Sequence, residues 1–187
     1  MNQMTSVAPV AEKVLRRSGT RDSALLMVVV WLMPVGIHLI PWSGSAPLGA
    51  YLLPMFWVTL VATYLFGAGA GLLVGLTAPL LNGMITGFPS AQLLSILAFE
   101  LAVFAIVARG LIRNSPGFWL SGPFGYVAAK VASTTVQYFF PVFGGMGEPG
   151  AFFIRSVQTA LPGMLALALI HLALVKIRPL PDDWDAT

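Results

Sequence analysis

Cysteine is absent from the chain, which excludes disulfides, thiolate metal sites and thiol nucleophiles together. Charge is scarce. Asp, Glu, Lys and Arg make up only 9% of the 187 residues, where a soluble domain carries about 25%. That leaves no room for a soluble catalytic domain. The motifs of common enzymes are missing too: no Gly-x-Ser-x-Gly elbow, no His-Glu-x-x-His, no phosphate-binding Gly-Lys-Ser/Thr loop and no acidic cluster to hold magnesium. Two histidines, His38 and His171, without cysteine and with few acids, make a poor metal set. The chain therefore reads as a non-enzyme without a metal or other cofactor. Lacking a nucleotide site, it must bind, conduct passively, or work with a partner that supplies energy.

What the chain has is apolar length. Hydrophobic residues make up 57% of it, and the mean hydropathy is +0.85. From Leu52 to Arg113 it runs for three membrane crossings with one formal charge, Glu100, before Arg109. A bilayer core has no water to solvate that carboxylate. An ionisable group inside an apolar span marks a candidate functional site.

A helix crossing the hydrocarbon core needs about 20 apolar residues. On that scale six spans are expected, at Ala24–Ile40, Ala50–Phe66, Ala68–Thr86, Ala91–Ile112, Phe118–Phe140 and Ala151–Lys176. The expected fold is an all-α, polytopic six-helix membrane bundle over 23–178, between a basic tail at 1–22 and an acidic tail at 179–187. The Ser-Gly-Ser-Ala at 43–46 resembles a signal-peptidase site only faintly. The preceding basic segment is long, and Pro47 would follow the cut, so the first span is expected to stay. With six spans, Lys13, Arg16, Arg17, Arg21, Arg109, Arg113, Lys176 and Arg178 fall on one side, and the opposite loops hold Glu148. This asymmetry predicts cytoplasmic termini. Trp42, Tyr51, Tyr138 and Trp119 fall where aromatic anchors belong.

Glycines at 67, 71 and 75 are four apart, so they share a helix face that permits close approach of a neighbouring helix. Only Gly67 separates the second and third spans, which predicts a tight hairpin. Among the polar residues, Asn82 lies late in span three. Gln92 and Glu100 lie on one side of span four. Lys130, Thr134 and Gln137 share a face of span five, and Arg155 and Gln158 lie near the outer end of span six. At 1.5 Å per residue, Glu100 lies roughly 14 Å from the outer start of its span and Lys130 roughly 18 Å from the inner start of the next. Both fall near the midplane, so an ion pair between them is expected. The pair is either a structural bridge or part of a site. On the second alternative Lys130, Arg155 and Gln137 surround an outward-facing cavity for a small ligand bearing a carboxylate or phosphate.

The order of features resembles the membrane substrate-binding subunits, or S components, of energy-coupling factor vitamin transporters. The residues that carry the resemblance are Pro34 and His38, Leu53-Pro54-Met55, the glycines from Gly67 to Gly75, Pro79-Leu80-Leu81, Gly87-Phe88-Pro89 and Phe99-Glu100-Leu101, over roughly residues 24–135. Where one branch of that family has His-Ile-Pro after Leu-Pro-Met, this chain has Phe56-Trp57-Val58. The resemblance implies a six-helix subunit of a bacterial or archaeal cytoplasmic membrane. It implies a vitamin-like solute bound in the outer half, and a transmembrane scaffold subunit with two ATPases as partners. Asn82, Gln92, Lys130, Gln137, Arg155, Gln158 and Glu100 are the expected substrate-binding residues. The other reading is a structural membrane subunit without a small ligand, in which Glu100 and Lys130 only bridge helices.

Overall fold

The computed structural model describes residue 28 and residues 31–37, 39–87, 90–140, 148–177 and 179, with the side chains of Ala91 and Gln92 outside that description. Lys13, Arg16, Arg17, Arg21, residues 24–27, 29 and 30 of the first expected span, His38, Phe88-Pro89, residues 141–147, Arg178 and nearly all of the acidic end lie outside the described residues. After a helical stretch at 31–37, seven helices follow among the described residues: α1 Leu48–Leu52, α2 Pro54–Phe66, α3 Ala68–Thr86, α4 Ala91–Asn114, α5 Ser121–Phe139, α6 Pro149–Thr159 and α7 Leu161–Ile177. The described chain is all-α.

Three segments are long and apolar enough to cross a membrane: Leu48–Phe66, Ala68–Thr86 and Leu93–Asn114. A fourth arises if α6 and α7, bent by 56° at Ala160, form one span. The expected sixth span is thus a broken helix. Pro162 has no N–H to donate to the carbonyl of Gln158 and crowds it, which interrupts the ladder there, and Ala160 alone lies outside the two helices. Helix α5 has 19 residues but falls short in hydropathy. Its polar residues Ser121, Lys130, Ser133 and Gln137 are buried inside the bundle. The hydropathy of a span measures its fitness for lipid, and these side chains face protein instead.

Helix α2 is the central element. Its span is 56% buried, against 33% for α3, and it touches α3, α4 and α7. A helix apolar on all sides belongs in the middle of a bundle. Phe56 meets Phe104 of α4 edge-on at 5.1 Å and Tyr126 of α5 at 5.0 Å. Gly67 turns the chain from α2 into α3 at φ 88°, where an L side chain would be strained. The tight hairpin expected from the sequence is present. Gly71 and Gly75 are buried, and a Cβ at Gly75 would lie 3.1 Å from Leu101 Cβ and 3.3 Å from the Leu101 carbonyl oxygen. The glycine face thus serves packing within this chain. The opposite face of α3 presents Leu73, Leu76, Leu80 and Met84. Their spacing makes a continuous apolar strip, as on a lipid-facing helix.

The second span is also interrupted. Leu53 adopts the left-handed conformation (φ 57°, ψ 43°), ending α1 and preceding α2. Pro54 bars an ordinary helical residue before it. For a non-glycine residue this conformation costs about 1–3 kcal/mol. The kink rests on α7: a Cβ at Gly163 would lie 2.6 Å from Leu53 Cγ and 2.7 Å from the Tyr51 carbonyl oxygen. Only a glycine permits that approach. The loop before α1 folds on itself, with Trp42 Nε1 donating to the Ala46 carbonyl at 2.8 Å and Trp42 packed edge-on to Tyr51 at 5.9 Å.

Candidate functional site

The kink at Leu53 and the break at Ala160 open a space between elements that continuous helices would close. A cavity of about 340 Å³ lies there. Leu53 to Phe56 form one wall and the 46–50 segment another. Leu93, Ile96, Leu97 and Glu100 come from α4, Tyr126 and Lys130 from α5, and Phe152, Arg155, Ser156 and Thr159 from α6. The α6 residues recur at i, i+3, i+4 and i+7, the spacing of one helix face. Glu148 caps this helix, its carboxylate accepting from the amides of Gly150 at 3.1 Å and Ala151 at 2.7 Å. Glu148, the acid that the sequence leads one to expect in an outer loop, is thereby explained as an N-cap.

The polar floor is a buried network. Lys130 Nζ donates to Glu100 Oε1 at 2.9 Å and lies 2.8 Å from Oε2. Ser133 Oγ donates to the same Oε1 at 2.7 Å. Glu100 is 1% exposed and Lys130 8%. Phe152 covers the ammonium at 5.2 Å from its ring centre, and the Tyr126 ring lies at 5.8 Å. Both distances allow a cation–π attraction. Tyr126 also donates from its hydroxyl to the Ser156 carbonyl at 3.3 Å, tying α5 to α6. The pair expected from depth alone is thus present, with Ser133 as a third member.

Arg155 lies on the same face of α6 as Phe152, one turn away, and it is exposed. It makes no ion pair or hydrogen bond among the described residues. Among the described residues, the cavity therefore holds one neutralised cation at its floor and one uncompensated cation at its rim.

Of the seven expected site residues, Glu100, Lys130 and Arg155 line the cavity together. Gln137 is buried on α5 beyond the cavity wall, and its Nε2 has no partner among the described residues. Gln158 is exposed on the flank of the face made by 152, 155, 156 and 159. Asn82 is fully buried in α3, away from the cavity. Gln92 falls in the first turn of α4, and its side chain lies outside the described residues. His171 is fully buried against Tyr64, with ring centres 5.7 Å apart. Among the described residues no group of His, Asp and Glu is placed to hold a metal.

Sequence reasoning missed Ser133, Phe152, Ser156, Tyr126 and Phe56. Two of them carried a signal: Ser133 follows Lys130 by three residues, and Phe152 precedes Arg155 by three. No protein-family model, curated protein or solved structure matches the chain.

Proposed function

We propose that this protein is the solute-binding subunit of a membrane importer, taking a small vitamin-like anion from outside into the cavity between α1, α2, α4, α5 and α6. It acts by binding and delivery rather than by catalysis. The observation that carries the reading is the pairing of a mostly apolar cavity with an arginine at its rim that has no counter-charge among the described residues. Ligand sites are commonly clefts of about 300–1,000 Å³, apolar with a few placed polar groups, and the cavity volume of about 340 Å³ falls in that range. An arginine's planar fork can hold a carboxylate through two parallel hydrogen bonds.

In this reading the bundle has six spans with both ends in the cytoplasm of a bacterial or archaeal cell. Helix α5 counts as a span because it runs antiparallel beside α4: Lys130 meets Glu100, and Gly125 packs on Phe104 and Ala108. A scaffold subunit and two ATPases would supply energy, as the resemblance to S components implies. The second reading, a structural subunit without a ligand, is favoured by the completeness of the Glu100–Lys130–Ser133 network, which joins α4 to α5 without outside help. A scaffold, however, has no need of an exposed arginine beside an open cavity.

The two readings part on Arg155. Small molecules that copurify with the parent should be depleted at least about tenfold in Arg155→Ala, a loss of about 1.4 kcal/mol in binding. Arg113→Ala on the opposite side should retain them. Equal retention in all three would remove Arg155 from the site, and the absence of any small molecule copurifying with the parent would favour the structural reading.

A further inference from the structure

The two cations of the cavity are not equivalent. Lys130 is held by both oxygens of Glu100 and roofed by Phe152, so its charge is cancelled before any ligand arrives. Arg155, one turn along α6 from that roof, has no such partner among the described residues. The body of the cavity is apolar, with the rings of Phe56, Tyr126 and Phe152 in its lining.

We propose that Glu100 is a specificity-determining residue: by neutralising Lys130 it leaves one available cation, Arg155, and restricts the cavity to monoanions with an apolar, ring-sized body. The inference rests on the binding reading above and adds a charge rule to it. A second anionic group on the ligand would reach the floor and meet the Glu100 carboxylate. Like charges brought together where water is scarce oppose binding. A cationic ligand would be met by Arg155 at the entrance. A neutral ligand would forgo the charge-assisted hydrogen bonds that the guanidinium offers.

The residue that enforces the rule can be inverted. With Gln at 100, Lys130 loses its counter-charge and becomes a second anchor. The cavity then carries two available cations at different depths, a pattern that suits a dianion.

The test uses the full-length protein purified in detergent and three probes with a shared body. These are 4-phenylbutanoate, 4-(4-carboxyphenyl)butanoate and 4-phenylbutylamine, with affinities read by titration calorimetry. The parent should bind the monoanion at least about tenfold more tightly than either of the others, equivalent to about 1.4 kcal/mol. Glu100→Gln should reverse the order in favour of the dianion. Glu100→Gln with Lys130→Met, which removes both charges, should return to the monoanion. If Glu100→Gln alone does not fold, the double variant decides: preference for the dianion there overturns the proposal. A parent that prefers the dianion or the amine overturns the charge rule and leaves the binding reading standing. A parent that binds none of the probes overturns both. Laurate distinguishes the source of the carboxylate: if it binds more tightly than 4-phenylbutanoate, the ring-sized body is overturned, the charge rule stands, and the ligand is a lipid-derived acid rather than a solute from water.

Discussion

Removing one partner of the Glu100–Lys130 pair should be far more damaging than removing both. Glu100 is 1% exposed and accepts from Lys130 and Ser133. Glu100→Gln leaves the Lys130 ammonium buried with only a neutral amide, Ser133 and two aromatic faces nearby. Lys130→Met leaves a buried carboxylate with Ser133 as its remaining donor. Breaking a buried pair on one side costs about 3–5 kcal/mol, whereas replacing both members with neutral groups of similar volume is often nearly neutral. For a chain of this size, about 2–4 °C of melting temperature follows each kcal/mol. Each single variant should therefore melt roughly 10 °C below the parent, and the double variant within a few degrees of it. The coupling energy, taken from the cycle of four proteins unfolded in detergent, should be at least about 3 kcal/mol. Independent sites add to within about 0.5 kcal/mol. Additivity at that level would refute the claim that the two charges stabilise one another.

Three further outcomes are expected. Reporter fusions at Thr187 and at Gly145 should report opposite sides of the membrane, and a shared side would sink the six-span topology. Gly75→Leu should push α3 away from Leu101 and lower stability by about 1–3 kcal/mol, the usual cost of overpacking. An unchanged melting temperature would show that α3 and α4 have slack there. Gly163→Leu should cost at least as much and also shift the cavity wall, because the site faces the backbone of Tyr51 and Leu52. Limited proteolysis within the 46–53 segment should speed up, and an unchanged digestion pattern would show that the kink does not depend on α7.

The parts of this architecture that follow from helical periodicity were readable in advance. Counting 1.5 Å per residue from each span's start put Glu100 and Lys130 at one depth, and they meet. Gly67 and the four-residue spacing of Gly71 and Gly75 announced a tight hairpin and a close packing face. What periodicity hides is interruption. Pro54 and Pro162 are breaker signals, yet a pattern of apolar residues runs through both, and the cavity exists because the helices do not. Facing is also hidden. Arg155 and Gln158 share a side of α6 by spacing, but Gln158 sits off the face that looks into the cavity. Gln137 shares a face with Lys130, but α5 continues past the cavity before reaching it. Ser133 escaped notice because a serine carries no charge, and its three-residue spacing from Lys130 was its only signal. Hydropathy, finally, scores α5 low because its polar residues are spent inside the bundle.

The central claim is that a solute occupies the cavity, and filling the cavity tests it most directly. Ser156 lines the space from α6 and is half-buried. Ser156→Trp would place an indole within it. Mass spectrometry of small molecules released by denaturing equal amounts of folded parent and variant gives the measurement. The account predicts a small monoanion, near one per protein in the parent and absent from Ser156→Trp. The same molecule retained at equal stoichiometry by the filled variant, or none but membrane lipid in both, would contradict it.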